Sequence, residues 1–244
     1  MTGLPVSYAD NAARIEGWIT PIASACAGRT VFLVDGDRTL SPDDTSRSFL
    51  RSAGGDPSII KERFQRDGYC FEAFRYHAEV HLALGAEAFD TLAPSIARNV
   101  PLYEGAIDFL RDATEQADVF VLSAGVPRIW RALLDRHGLR SVRVLGGIEP
   151  TAPFVFGRSE KGLVARLFRA HAAALIGVGD SDVDRELLLT ADHAVIVVDH
   201  RRNQDLLPHL RGHRSLWQIV PQGLPHEGIP QLDFLSILSL PRMQ

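Results

Sequence analysis

Cysteine is scarce in this 244-residue sequence: Cys26 and Cys70 stand alone, with no CxxC and no framework spacing. That excludes a disulfide scaffold and makes a reducing, cytoplasmic setting the expectation. No apolar stretch reaches the roughly 18 residues that a membrane span needs. The opening MTGLPVSYAD lacks a basic segment followed by an apolar one, so no signal peptide is expected. Excess basic charge is missing too. Lys and Arg number 26 against 30 Asp and Glu, a net charge of −4 that gives no footprint for a nucleic-acid polymer. There is no internal repeat or low-complexity segment. The nine histidines show no ligand spacing; His209 and His213, with Gly212 between them and no carboxylate nearby, are not expected to hold a metal.

What remains is an ordinary globular composition, 45% hydrophobic and 23% charged, long enough for one large core or a core with a small accessory domain. The chain is organised around VFLVDGDRTL, residues 31–40. Residues 31–34 are a continuous apolar run, the mark of a strand buried on both faces of a parallel sheet. The run ends in Asp35-Gly36-Asp37, at the sheet edge where open α/β folds bind ligands. Two carboxylates so close resist ionising together unless a cation joins them or one keeps its proton. Gly36 between them is expected to let a ligand approach the backbone.

Before this strand, residues 8–27 carry Ala12, Ile15, Trp18, Ile19 and Ile22 at helical spacing, with Pro21 expected to break the helix. This leader is expected to pack outside the sheet and to carry no chemistry. After Leu40, residues 41–100 show only helical patterns punctuated by Gly54-Gly55-Asp56-Pro57 and Asp67-Gly68, which predicts a small helical insert. Alternation resumes at Pro101. A helix over 104–116 leads to a strand over 119–122, which ends in Ser123-Ala124-Gly125 and runs into a helix over 126–137. The exposed backbone N–H groups of such a turn favour an anion. Residues 141–156 read as irregular strands and turns. Lys161 then stands at the start of a helix, against the macrodipole, so its placement points to another purpose.

A third apolar strand ends in Gly177-Val178-Gly179-Asp180-Ser181-Asp182-Val183-Asp184. The third glycine of a dinucleotide fingerprint would fall at Asp182, where a carboxylate repels pyrophosphate. The acidic turn suits a hard divalent cation instead. Residues 194–198 read as a further strand, 203–210 as a short helix, 217–220 as an edge strand, and the proline-rich tail as irregular.

In order, these stretches resemble the motifs of the haloacid dehalogenase superfamily. Asp35, Asp37 and Thr39 match its first motif, Ser123 its second, Lys161 its third, and Gly179, Asp180 and Asp184 its fourth. The resemblance spans most of residues 30–200. It implies an α/β fold: a Rossmann-like, doubly wound parallel sheet over residues 1–40 and 101–244, with a helical cap at 41–100. It further implies that Asp35 is a nucleophile forming an aspartyl phosphate, and that Asp37 is the general acid and base. Mg2+ would be held by Asp35, Asp37 (through its carbonyl) and Asp180. Gly36, Ser123, Ala124, Gly125 and Lys161 would bind phosphate, with Asp184 behind the metal and the lysine.

An acid at Asp37 is what separates phosphatases and phosphomutases of this superfamily from its dehalogenases, which lack one there. The cap position implies a small phosphorylated metabolite as partner, handled by a monomer or homodimer. The general look is nearest to phosphoserine phosphatases, yet those have a glutamate where this chain has Asp43 and Asp44, and an arginine near the position of His77-Ala78, where the nearest arginine here is Arg75. The expected readers of the leaving group are therefore Asp44, Phe71, Arg75, Tyr76 and His77, and a sugar or nucleoside phosphate is preferred over phosphoserine. Besides phosphoserine hydrolysis, the alternatives are a phosphomutase and a non-catalytic phosphate-binding regulator.

Overall fold

The computed structural model describes residues 3–199 and 202–242. Among these, seven parallel strands form one sheet. They are β1 (Thr30–Asp35), β2 (Asp118–Ser123), β3 (Arg143–Gly146), β4 (Ala174–Gly179), β5 (His193–Asp199), β6 (Leu216–Gln222) and β7 (Gln231–Leu232). Their order is β3-β2-β1-β4-β5-β6-β7. Side chains alternate across this sheet. Val31 and Leu33 pack on Ile15 and Ile19 of α1 (Tyr8–Ala25) and on Val164 and Phe168 of α8 (Arg158–Arg169). Phe32 and Val34 face Phe109 of α6 (Ala106–Gln116) and Trp130 of α7 (Pro127–Arg136). Helices on both faces explain why the central strands read as continuous apolar runs. Because β1 pairs with β2 on one side and β4 on the other, the order reverses there, and a crevice opens beyond the carboxyl ends of these strands.

Two local expectations are corrected. Pro21 does not break the leader, since α1 runs unbroken through it. Both Pro21 and Gly17, whose carbonyl loses its partner, are exposed, so the missing bond falls where water replaces it. Nor is β6 the edge of the sheet. The buried side chain of Gln218 donates to the carbonyls of His226 and Ile229 and accepts from the His226 N–H, folding the tail back so that β7 pairs alongside.

Between β1 and α6 the chain forms four helices and no strand: α2 (Thr45–Ser52), α3 (Ser58–Asp67), α4 (Phe71–Leu82) and α5 (Ala86–Ala97). Phe49, Ala78, Phe89, Ala93 and Ala97 from these helices join the same buried cluster as α6 and α7. Most of the insert thus shares a core with one face of the sheet. Helix α3 is the exception and buries none of its residues.

Candidate active site

Asp35 is the last residue of β1 and is buried. Beyond it the chain folds back at once, with the Leu40 N–H donating to the Gly36 carbonyl at 2.9 Å. The turn brings the Thr39 hydroxyl onto Asp35 Oδ2 at 3.0 Å. Asp35 Oδ1 accepts from Lys161 Nζ at 2.5 Å, and the same ammonium donates to Asp184 Oδ1 at 2.6 Å. Lys161 reaches in from the first turn of α8, 1% exposed. Asp184 Oδ2 in turn accepts the backbone N–H groups of Asp180 (3.1 Å) and Ser181 (3.3 Å), closing the acidic turn after β4. Gly179 is required here, because a Cβ at that position would lie 2.5 Å from the Cβ of Asp184.

Carboxylate oxygens of Asp35, Asp180 and Asp184 lie within 4.8 Å of one another. Burial pushes the Asp35 carboxyl well above the usual range, and Asp184 and Asp180 add to this, with the Lys161 ammonium opposing them. Burial also works against the charge on Lys161, but Asp184 and Asp35 outweigh it and push its pKa above the ordinary lysine value. One ammonium among three carboxylates leaves surplus negative charge on an all-oxygen donor set. Such a site fits a hard divalent cation.

Asp37 is held separately. Its Oδ1 accepts from the Thr45 hydroxyl at 2.7 Å and from the Trp130 indole N–H at 3.1 Å. Burial and the nearby charge of Asp44 still raise its pKa to about 6, against the pull of these hydrogen bonds. Trp130 also corrects the expectation for Gly36. The space a side chain would take there is filled by the indole, 2.4 Å from an added Cβ, so the glycine admits a tryptophan on that side. At the end of β2, Ser123 Oγ accepts from the Gly125 N–H at 3.2 Å. Gly125 lies where a Cβ would meet the Cβ of Ser46 at 2.8 Å and Asp37 Oδ2 at 3.3 Å.

These groups border a cavity of about 690 Å³ shared with the helical insert: Asp35, Asp37, Ala124, Gly125, Lys161 and Asp180 on one side, Asp44, Phe64, Tyr69, Phe74 and His77 on the other. Of the five expected readers, Asp44 and His77 line it. Phe71, Arg75 and Tyr76 do not. Phe71 packs edge-on against Tyr8, Arg75 pairs with Glu79, and Tyr76 lies under the Arg63 guanidinium. The reason is helical phase. The buried face of α4 runs through Phe74, His77, Ala78 and His81, which turns the other three elsewhere.

Several contributors carry weaker sequence signals. A buried tryptophan needs a partner for its N–H, which is the clue to Trp130. Buried Asn203 donates to the Asp180 carbonyl at 2.6 Å and ties the acidic turn to β5. The leader helix braces the helix that carries Lys161. Buried Asn11 donates to the Val155 carbonyl and to Glu160 Oε1, while Glu160 Oε2 caps the Gly157 N–H at the start of the helix that carries Lys161.

The family model of haloacid dehalogenase-like hydrolases matches residues 32–189. No curated protein matches the chain in sequence. Among solved structures, a protein of unknown function from Bordetella pertussis Tohama I superposes with a TM-score of 0.60 at 16% identity, over 85% of this chain and 99% of that one. A phospho-aspartyl intermediate analogue of phosphoserine phosphatase gives 0.57 at 14% identity, over 87% and 99%. A phosphoserine phosphohydrolase-like protein from Francisella tularensis gives 0.52 at 14%, over 78% and 94%. At such identities the structural likeness is one of fold, while the match over residues 32–189 covers well over half the chain. This chain belongs to the haloacid dehalogenase-like hydrolases.

Proposed function

We propose that this protein is a magnesium-dependent phosphatase that hydrolyses a small phosphate monoester through an aspartyl phosphate on Asp35. The observation that carries the reading is the Lys161 ammonium shared between Asp35 and Asp184, beside an Asp37 whose pKa lies near 6. Magnesium held by the carboxylates of Asp35 and Asp180 and the carbonyl of Asp37 would supply charge neutralisation between an anionic nucleophile and an anionic phosphate. Asp35 attacks phosphorus as the bond to the alcohol oxygen breaks. Asp37 gives its proton to that oxygen, then takes one from the water that releases phosphate and restores Asp35. A carboxyl titrating near neutrality suits both transfers. Lys161, the Ser123 hydroxyl and the backbone N–H groups of Ala124 and Gly125 bind the phosphate oxygens, while the Gly36 N–H is taken by the Leu122 carbonyl. Asp184 orients Lys161, and α2 to α5 act as the cap that keeps water out.

Phosphoserine hydrolysis is the second reading, supported by likeness of fold to phosphoserine phosphatases. Turnover of a small aryl phosphate with magnesium and after chelation tests the proposal. Activity with the metal and loss of it on chelation support the reading; full activity after exhaustive chelation contradicts it.

A further inference from the structure

Opposite the carboxylates, part of the cavity wall is aromatic, with Ser46, Ser58 and Gln65 among its polar neighbours. The ring of Phe64, on α3, lies 4.8 Å from Phe74, 5.3 Å from Tyr69 and 5.9 Å from His77, centroid to centroid. Tyr69 and Phe74 are 6.1 Å apart and nearly parallel, at 27°. Phe74 fits against the helix of Lys161 because position 157 is glycine, where a Cβ would lie 2.2 Å from the phenyl ring. All four rings line the cavity that holds Asp35, Asp37 and Asp180. Phe74 and His77 form the covered floor of this wall, while Phe64 is half-buried and Tyr69 remains 37% exposed, so the platform opens toward the cavity at these two rings.

The buried charged groups on this side that could read a zwitterion are committed elsewhere. Arg38 pairs with Asp44 at 2.6 Å, and Asp44 also accepts from the Ser46 hydroxyl and caps α2 through the Arg47 N–H. His77, 5% exposed, has an Nδ1 without a hydrogen-bond partner. Burial and the neighbouring His81 push its pKa down to about 3, against the pull of Asp44, so it presents a neutral ring. Among the described residues, Arg47 and Lys61 are the lining cations without an ion pair, and both are exposed.

We propose that the substrate is a phosphomonoester whose alcohol carries a flat aromatic or heteroaromatic ring, seated against Phe64, Tyr69, Phe74 and His77. The inference rests on the phosphatase reading and names its substrate class. A polyol or amino-acid alcohol seated on this wall would set its hydroxyl or charged groups against apolar rings and lose solvation there. A ring gains offset and edge contacts there. The volume of about 690 Å³ lies within the range of ligand cavities and leaves room for a ring beyond the phosphate.

The test is kcat/KM with magnesium for benzyl phosphate, glycerol 3-phosphate, phosphoserine and a small aryl phosphate, in the native protein and in Phe64→Leu and Tyr69→Leu. Expected are a preference for benzyl phosphate over the two ring-free esters of about tenfold or more, and a drop in that preference of roughly fivefold in each variant. Benzyl alcohol should compete with substrate at concentrations where glycerol does not. Equal or better use of glycerol 3-phosphate or phosphoserine overturns the inference alone, as does a preference unchanged in both variants. No turnover of any ester, the aryl phosphate included, overturns the phosphatase reading and this inference with it.

Discussion

Asp35 and Asp180 leave the carboxyl ends of β1 and β4, in the middle of a seven-stranded sheet, and both are buried. Across the cavity, Phe64 and Tyr69 stand on and just after α3, which buries none of its residues. The carboxylate side is over-determined. Lys161 donates to both Asp35 and Asp184, Asp184 also accepts two backbone N–H groups, and glycines at 125 and 179 are fixed by their surroundings. The aromatic side is held by ring contacts that any similar side chain could partly replace. The contrast separates two tasks. Groups that move a phosphoryl unit must be placed to within tenths of an ångström, whereas groups that select the remainder of the molecule need only shape and polarity.

The hardest blow to this comparison is Asp35→Asn. It keeps shape but removes the nucleophile, so kcat should fall by roughly four orders of magnitude. Circular dichroism should show the fold retained. Activity near that of the native protein would mean that the carboxylate side is not where chemistry happens.

Lys161→Met comes next. It leaves Asp35 and Asp184 buried without their shared cation, a loss on the order of 3–5 kcal/mol. Urea unfolding without magnesium should show that drop, and magnesium should restore part of it. A variant as stable as the native protein, with or without the ion, would mean that the ammonium is not what balances the cluster.

A subtler probe is Trp130→Phe, which deletes the N–H donated to Asp37 together with the indole atoms nearest Gly36. One hydrogen bond of about 1 kcal/mol predicts a fall in kcat of roughly fivefold with little change in KM. An effect confined to KM would place Asp37 in binding rather than proton transfer.

Much of this was legible in the chain because apolar strands announce their own ends. Val31 to Val34 led to Asp35, and the strand before Gly179 led to Asp180, in a family whose order of motifs is fixed. Helical faces are less readable. Phe71, Arg75 and Tyr76 were expected in the cavity beside His77, but the helical phase that keeps His77 there presents Phe74 in their place. Partners distant in sequence left even less trace. Nothing near Asn11 or Asn203 says that one supports the helix of Lys161 and the other the carbonyl of Asp180. Nor does anything near Trp130 mark it as the donor to Asp37.

The last expected effect belongs to the aromatic side. His77 titrates at about 3 when folded, because burial, with His81 beside it, disfavours its charge, and near 6.5 when exposed. The unfolded chain therefore binds the proton first. This contribution to stability is complete above about pH 6.5 and declines as pH falls toward 3. Between pH 7 and 5 the native protein should lose up to about 2 kcal/mol more than His77→Gln in urea unfolding. Parallel pH profiles would show that the ring is not kept neutral by its surroundings.

The central claim is that phosphate passes through Asp35. The most direct test is to quench the enzyme during turnover with magnesium, reduce any acyl phosphate with borohydride and sequence the peptides by mass spectrometry. The account predicts homoserine at position 35, dependent on both substrate and magnesium and absent from Asp35→Asn. Steady turnover with no modified residue, or with the modification at another carboxylate, would contradict it.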